Sequence, residues 1–289
     1  MKSLKYFSVF TASTLLLFAA CKSDTVKEIS QETKVTKEPE KEIAKSTIIE
    51  ENITYTADNT PLDGFVAYDS SIKTKRPVVL VIHEWWGLNE YPKIRARQLA
   101  ALGYLAIAVD LYGNHKVAED PADAGKLAKP IYANPKMAKK RFDAAMAKIK
   151  TYPVADITQM AAIGYCFGGA MALNFARLGE SELKGIVSFH GNLSGVPITK
   201  SILKTKVLVC NGEADIYVNP DEISNFKKQM DSIKADYTFK SYPNATHAFT
   251  NPASTEVGKK YDIHIEYNEP ADKASWNDMK TFFATIFKK

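Results

Sequence analysis

A chain of 289 residues with 45% hydrophobic and 25% charged side chains can bury one sizeable core, so a single globular domain is the expectation. The formal net charge of +5 is spread along the sequence, with lysines and acids interleaved and no arginine-rich block. That pattern describes a solvated surface and argues against nucleic acid as a partner.

The N-terminus carries positive charge at Lys2 and Lys5, and residues 9–20 form a mostly apolar run of about a dozen residues. The run is too short for a final membrane span and reads as a signal peptide. It ends Leu17-Phe18-Ala19-Ala20-Cys21, which is similar to the lipobox of bacterial lipoproteins, with Phe18 where leucine is usual. Cys21 is therefore the expected lipidation site, and two or more acyl chains there would give stable anchoring to a membrane of the bacterial cell envelope. Residues 22–47 are rich in Lys, Glu, Thr and Ser and hold no aromatic side chain, as expected of a flexible tether. The folded domain is expected over residues 48–289 as a monomer. Only Cys166 and Cys210 fall within it, too few for a disulfide framework.

From residue 53 onward, strand-like runs alternate with helical patterns. Runs 53–57 and 62–68 flank the turn signal Asp58-Asn59-Thr60-Pro61 and predict an opening hairpin. Buried-type strands are predicted at 77–82, 105–109, 161–164, 186–189, 207–210 and 237–242. Helices are predicted near 92–102, 135–149, 167–178, 220–233 and 271–287. The alternation implies an α/β fold, a mainly parallel sheet of about eight strands with helices on both faces. Functional residues should lie in loops at the C-terminal ends of the strands.

Residues Gly164-Tyr165-Cys166-Phe167-Gly168-Gly169 follow one strand and open a helix. In a nucleophile elbow the central residue is strained, and flanking glycines remove side chains that would collide with the turn. Amides in the first turn of the helix lower a thiol pKa and can donate to a developing oxyanion. Cys166 is the candidate nucleophile; the structural alternative is a buried cysteine beside a tight crossing. An acid and a histidine should follow in that order, each after a later strand, and Asp215 and His247 do. Glu213 rivals Asp215, whereas Asp110 reads as a loop or capping residue. His264, within an alternating segment at 262–266, reads as an edge-strand residue, and Cys210 as a core thiol. His83 and His190 fall at strand ends and read as structural histidines.

The Gly-Tyr-Cys-Phe-Gly-Gly segment, the Asp215 and His247 loops and Val81-Ile82-His83-Glu84-Trp85-Trp86-Gly87-Leu88 together resemble dienelactone hydrolase, or carboxymethylenebutenolidase. The likeness runs from about Asn52 to the C-terminus and includes residues 103–112. It implies an α/β-hydrolase fold and a Cys166, His247, Asp215 triad. It also implies an oxyanion hole from the backbone amides of Trp85 and Phe167, and a thiol whose ionisation responds to Glu84. Trp85 and Trp86 would line the acyl pocket. Glu84 also has a plain reading, as a carboxylate bonding a loop amide.

The family grips a substrate carboxylate with arginines after Asp-Leu-Tyr and after the histidine. Residues 113–116 and 248–251 here contain none, and Lys116 offers only a point charge. The expected substrate is a small ester or lactone without a carboxylate, hydrolysed through a thioester with no cofactor or metal. The other classes compatible with the sequence are a non-catalytic envelope lipoprotein using the fold as a binding platform, and an envelope peptidase or acyltransferase.

Overall fold

The computed structural model describes residues 47–288. The predicted signal segment, Cys21 and nearly all of the predicted tether lie outside the described residues. In chain order the elements are β1 Ile48–Ala57, β2 Thr60–Asp69, β3 Arg76–Ile82, α1 Glu90–Ala101, β4 Leu105–Val109, α2 Pro121–Ala133, α3 Pro135–Ile149 and β5 Ala155–Tyr165. They continue with α4 Phe167–Arg177, β6 Leu183–Phe189, β7 Lys206–Gly212, α5 Pro220–Ser232, β8 Tyr237–Tyr242, α6 Ser254–Tyr261 and α7 Glu269–Ile286.

The eight strands form one sheet in the order β1-β2-β4-β3-β5-β6-β7-β8. β1 pairs antiparallel with β2, and β2 with β4; every pairing from β4 through β3 to β8 is parallel. The opening hairpin turns on Asp58 and Asn59, both at positive φ (47° and 59°). That is the two-residue geometry whose twist matches the flanking strands, and Asn and Asp tolerate it.

β3 and β4 sit in the middle of this arrangement and read as continuous apolar runs because both of their faces are covered. Val78, Leu80 and Ile82 of β3 pack into the core layer beneath α3 and α4, whereas Val79 and Val81 pack toward α1 and α7. The period of two thus splits one strand between two cores. Truncating a fully buried residue such as Leu80 to alanine would cost about 2–5 kcal/mol.

Two helices escape the periodicity reading. α2 contains Pro130, which interrupts a helical pattern, although its start is marked by Asp120, whose side chain accepts from the Asp123 N–H at 2.8 Å, and by Pro121. α6 is only eight residues long and holds Gly258. β5 starts six residues earlier than the apolar run at 161, because Asp156-Ile157-Thr158-Gln159 is polar and partly exposed there. Segment 262–266 is not an edge strand: it makes a single parallel bridge, His247 to Ile265, with Ile265 buried and His264 exposed.

Candidate active site

Loops from the C-terminal ends of β3, β5, β6, β7 and β8 converge at one end of the sheet. Cys166 follows β5 and caps α4 with φ 51° and ψ −115°, a conformation that costs a non-glycine residue about 1–3 kcal/mol. The surroundings leave no alternative path. A Cβ at Gly164 would come within 2.1 Å of the Gly168 carbonyl oxygen, and one at Gly168 within 2.4 Å of the Ile82 oxygen. The Cys166 N–H is held by the Phe189 carbonyl at 2.9 Å and by His190 Nδ1 at 3.1 Å.

His247 and Asp215 stand opposite the thiol. His247 Nδ1 donates to Asp215 Oδ2 at 2.8 Å, and Asp215 Oδ1 accepts from the Tyr217 N–H at 2.9 Å. With Nδ1 committed, Nε2 is left for the Cys166 side chain, to which the imidazole is hydrogen-bonded. Burial alone would lower the His247 pKa, but the charge of Cys166 and the hydrogen bonds to Asp215 and Cys166 outweigh it. The imidazole is held well above its ordinary value. That environment favours the imidazolium form of His247.

Glu84 follows β3, its backbone fixed by His83, whose Nδ1 donates to the Glu84 carbonyl at 2.5 Å while Nε2 accepts from the Leu111 N–H at 3.2 Å. His83 is therefore a fully engaged structural residue. Glu84 is 3% exposed, and burial raises the pKa of its carboxyl to about 7. A hydrogen bond from Asn251 Nδ2 at 2.8 Å and the charges of His247 and Arg95 only partly offset that rise.

Cys166, His247 and Glu84 border a cavity of about 350 Å³. Trp85, Trp86, Tyr132, Tyr217, Ile263 and Ile265 supply its largely apolar walls. Trp85 and Trp86 meet edge to face at 5.2 Å between ring centroids, and the Tyr112 hydroxyl donates to the Trp85 carbonyl at 2.9 Å. The N–H groups of Trp85 and Phe167 engage no acceptor among the described residues. The Phe167 ring itself is fully buried and stacks on His83 at 5.5 Å, and Phe167 is not among the residues that line the cavity.

The remaining candidates lie elsewhere. Glu213 is exposed and does not bond His247. Asp110 caps its own loop, Oδ1 accepting from the Tyr112 N–H at 2.7 Å and the Gly113 N–H at 3.0 Å. Burial pushes the Cys210 thiol up to about 12, as fits a core residue. Lys116 is exposed and lines neither the thiol's cavity nor its neighbour.

Several site residues carry no sequence motif. Asn251, four residues after His247, is conspicuous in sequence only as a missing arginine, yet it holds Glu84. Arg95 of α1 is buried close by but committed to Asp272 at 2.5 Å, to the Thr250 carbonyl at 2.6 Å and to the Tyr91 hydroxyl at 3.2 Å. His190 joins that network. Because Nδ1 accepts from Cys166, Nε2 carries the proton and donates to Thr250 Oγ1 at 2.8 Å, which lies 2.7 Å from the Tyr91 hydroxyl. Burial holds His190 well below its ordinary pKa, in keeping with that neutral form.

A mostly parallel eight-stranded sheet with a strained residue at a strand-to-helix turn, facing a histidine and acid from later loops, defines an α/β-hydrolase. Residues 62–287 match the dienelactone hydrolase family. The chain is 30% identical to Protein usf of Aquifex pyrophilus over 222 residues, 75% of this chain and 91% of that one. It is also 30% identical over 230 residues to an Aquifex aeolicus protein named as a carboxymethylenebutenolidase, covering 76% and 93% of the two chains. A solved dienelactone hydrolase-like promiscuous phosphotriesterase from metagenomic libraries superposes with a TM-score of 0.77 at 31% identity, covering 84% of this chain and all of that one. The chain belongs to the dienelactone hydrolase family, and it is a hydrolase.

Proposed function

We propose that this protein hydrolyses small neutral esters or lactones with Cys166 as nucleophile. The observation that carries the reading is the position of Cys166, at φ 51° on the floor of the 350 Å³ cavity, against an imidazole that Asp215 orients. The Cys166 thiolate attacks the carbonyl carbon, and the oxyanion takes hydrogen bonds from the Trp85 and Phe167 N–H groups, each worth about 3–4 kcal/mol in such sites. Collapse breaks the acyl C–O bond, and the imidazolium of His247 hands its proton to the departing alkoxide. His247, now neutral, deprotonates a water that attacks the thioester, and the thiolate is regenerated with release of the acid.

Neutral substrates suit the surroundings. A substrate carboxylate would meet Glu84 and Asn251 with no free arginine, because Arg95 is already neutralised by Asp272. A binding platform has no physical use for a cysteine on a strained strand-to-helix turn beside an imidazole oriented by an acid, so the enzymatic reading is preferred.

Intact-mass analysis during turnover of a slow aromatic ester should detect the acyl adduct on Cys166. Cys166→Ala should abolish both adduct and turnover with the fold retained, and Cys166→Ala/His247→Ala should be little worse than Cys166→Ala alone. Turnover by Cys166→Ala near the wild-type rate would overturn the mechanism.

A further inference from the structure

Beyond Trp86 lies a second cavity, about 620 Å³ against about 350 Å³ for the one holding the thiol. Trp86 lines both. Asn251 lines the second and donates to Glu84, which lines the first, so the partition is one layer of side chains. The Trp86 carbonyl accepts from the Ala118 N–H at 2.9 Å, which fixes this divider to the neighbouring loop. An ester whose acyl group sits beside Cys166 and whose alcohol outgrows the first cavity meets this shared wall, and the second cavity lies on its other side.

The walls of the second cavity select among alcohols. Its buried cation, Arg95, is neutralised by Asp272, and its acid Glu90 is paired with Arg97. Lys260 is exposed, with Nζ 4.7 Å from the centre of the Tyr261 ring. No unneutralised buried cation therefore faces an anion such as a phosphate or carboxylate. Ile94, Pro252, Ala253 and Val257 give the cavity apolar wall, and polar groups stand among them. Asn89 and Gln98 use their amide oxygens within the chain, Asn89 Oδ1 accepting from the Tyr91 N–H at 3.2 Å and Gln98 Oε1 from Arg95 Nη1 at 3.0 Å. Neither NH₂ group has an acceptor among the described residues, and both residues line the cavity. The rings of Trp86 and Tyr261, which also line the cavity, lie 6.2 Å apart at 31°. Aromatic faces carry partial negative charge and attract the polarised C–H groups of a hydroxylated ring, while amide donors serve its oxygens.

We propose that this second cavity is the alcohol-side subsite and that it takes a neutral polyhydroxylated alcohol, so that the physiological substrate class is acyl esters of saccharides. The proposal rests on the reading of Cys166 as an ester-cleaving nucleophile. The chemistry is unchanged: the acyl C–O bond breaks, the sugar hydroxyl leaves with the His247 proton, and water releases the acid.

The test compares two esters with the same acyl group on primary alcohols, ethyl benzoate and 6-O-benzoylglucose, using the full chain. The wild-type enzyme should show kcat/KM about tenfold higher for the sugar ester, and Gln98→Ala/Tyr261→Ala should bring that ratio to near one. A wild-type ratio near one, or a ratio untouched in the double variant, overturns the subsite while leaving the hydrolase reading intact. Hydrolysis of neither ester, with folded protein, overturns both. Glucose titrated into Cys166→Ala supplies a readout independent of turnover: quenching of tryptophan fluorescence, lost on adding the same two substitutions, is expected, and no response at any sugar concentration counts against the subsite.

Discussion

Glu84→Gln isolates the cost of a buried carboxyl in the wall of the cavity that Cys166 also lines. Glu84 is 3% exposed, and burial raises its pKa from the ordinary 4.5 to about 7. Below pH 4.5 the folded and unfolded chains both carry the proton, and ionisation does not affect stability. As pH rises toward 7 the unfolded chain releases its proton while the folded one retains it, so stability falls through that window and levels off above it. At about 1.4 kcal/mol per pH unit, the loss amounts to about 3 kcal/mol. The glutamine variant keeps an oxygen to accept from Asn251 Nδ2 and has no proton to lose. Urea unfolding of both proteins from pH 4 to pH 8 should therefore show the variant gaining about 3 kcal/mol relative to wild type across the range, while contributions common to both cancel. A difference that stays constant from pH 4 to pH 8 would show that Glu84 titrates normally and would refute this account of its environment.

Other outcomes follow from the same geometry. Gly164→Ala places a Cβ 2.1 Å from the Gly168 carbonyl, so it should cost about 1–3 kcal/mol or more in urea unfolding and reduce turnover by displacing Cys166; wild-type values for both would contradict the elbow's packing. Asn251→Arg puts a guanidinium beside Glu84, and steady-state kinetics should show kcat/KM for a carboxylated dienelactone rising relative to a neutral ester. No change in that ratio would mean that the anion specificity is set elsewhere. We further propose that Cys21 is acylated: Cys21→Ser should move the protein from the detergent phase to the aqueous phase without loss of activity, and an unmodified N-terminal peptide in the wild type would exclude lipidation.

The sequence by itself determines the elements that repeat a simple period. β4, β8 and α3 are legible to the residue, because apolar periodicity is a local property. The glycine bracket around Cys166, and the order of acid and histidine in later loops, are equally local and place all three residues before any contact is known. What depends on partners distant in sequence is not legible. Pro130 hides α2 and with it Tyr132 at the cavity wall, because a helix packed on its neighbours tolerates a lost hydrogen bond that a sequence pattern cannot discount. The charge state of Glu84 is decided by burial and by a side chain 167 positions away, and His190 becomes a support of the elbow only because Thr250, 60 residues later, fixes its proton on the far nitrogen. Desolvation and tautomer choice are properties of an assembled environment, and the tertiary structure alone provides that environment.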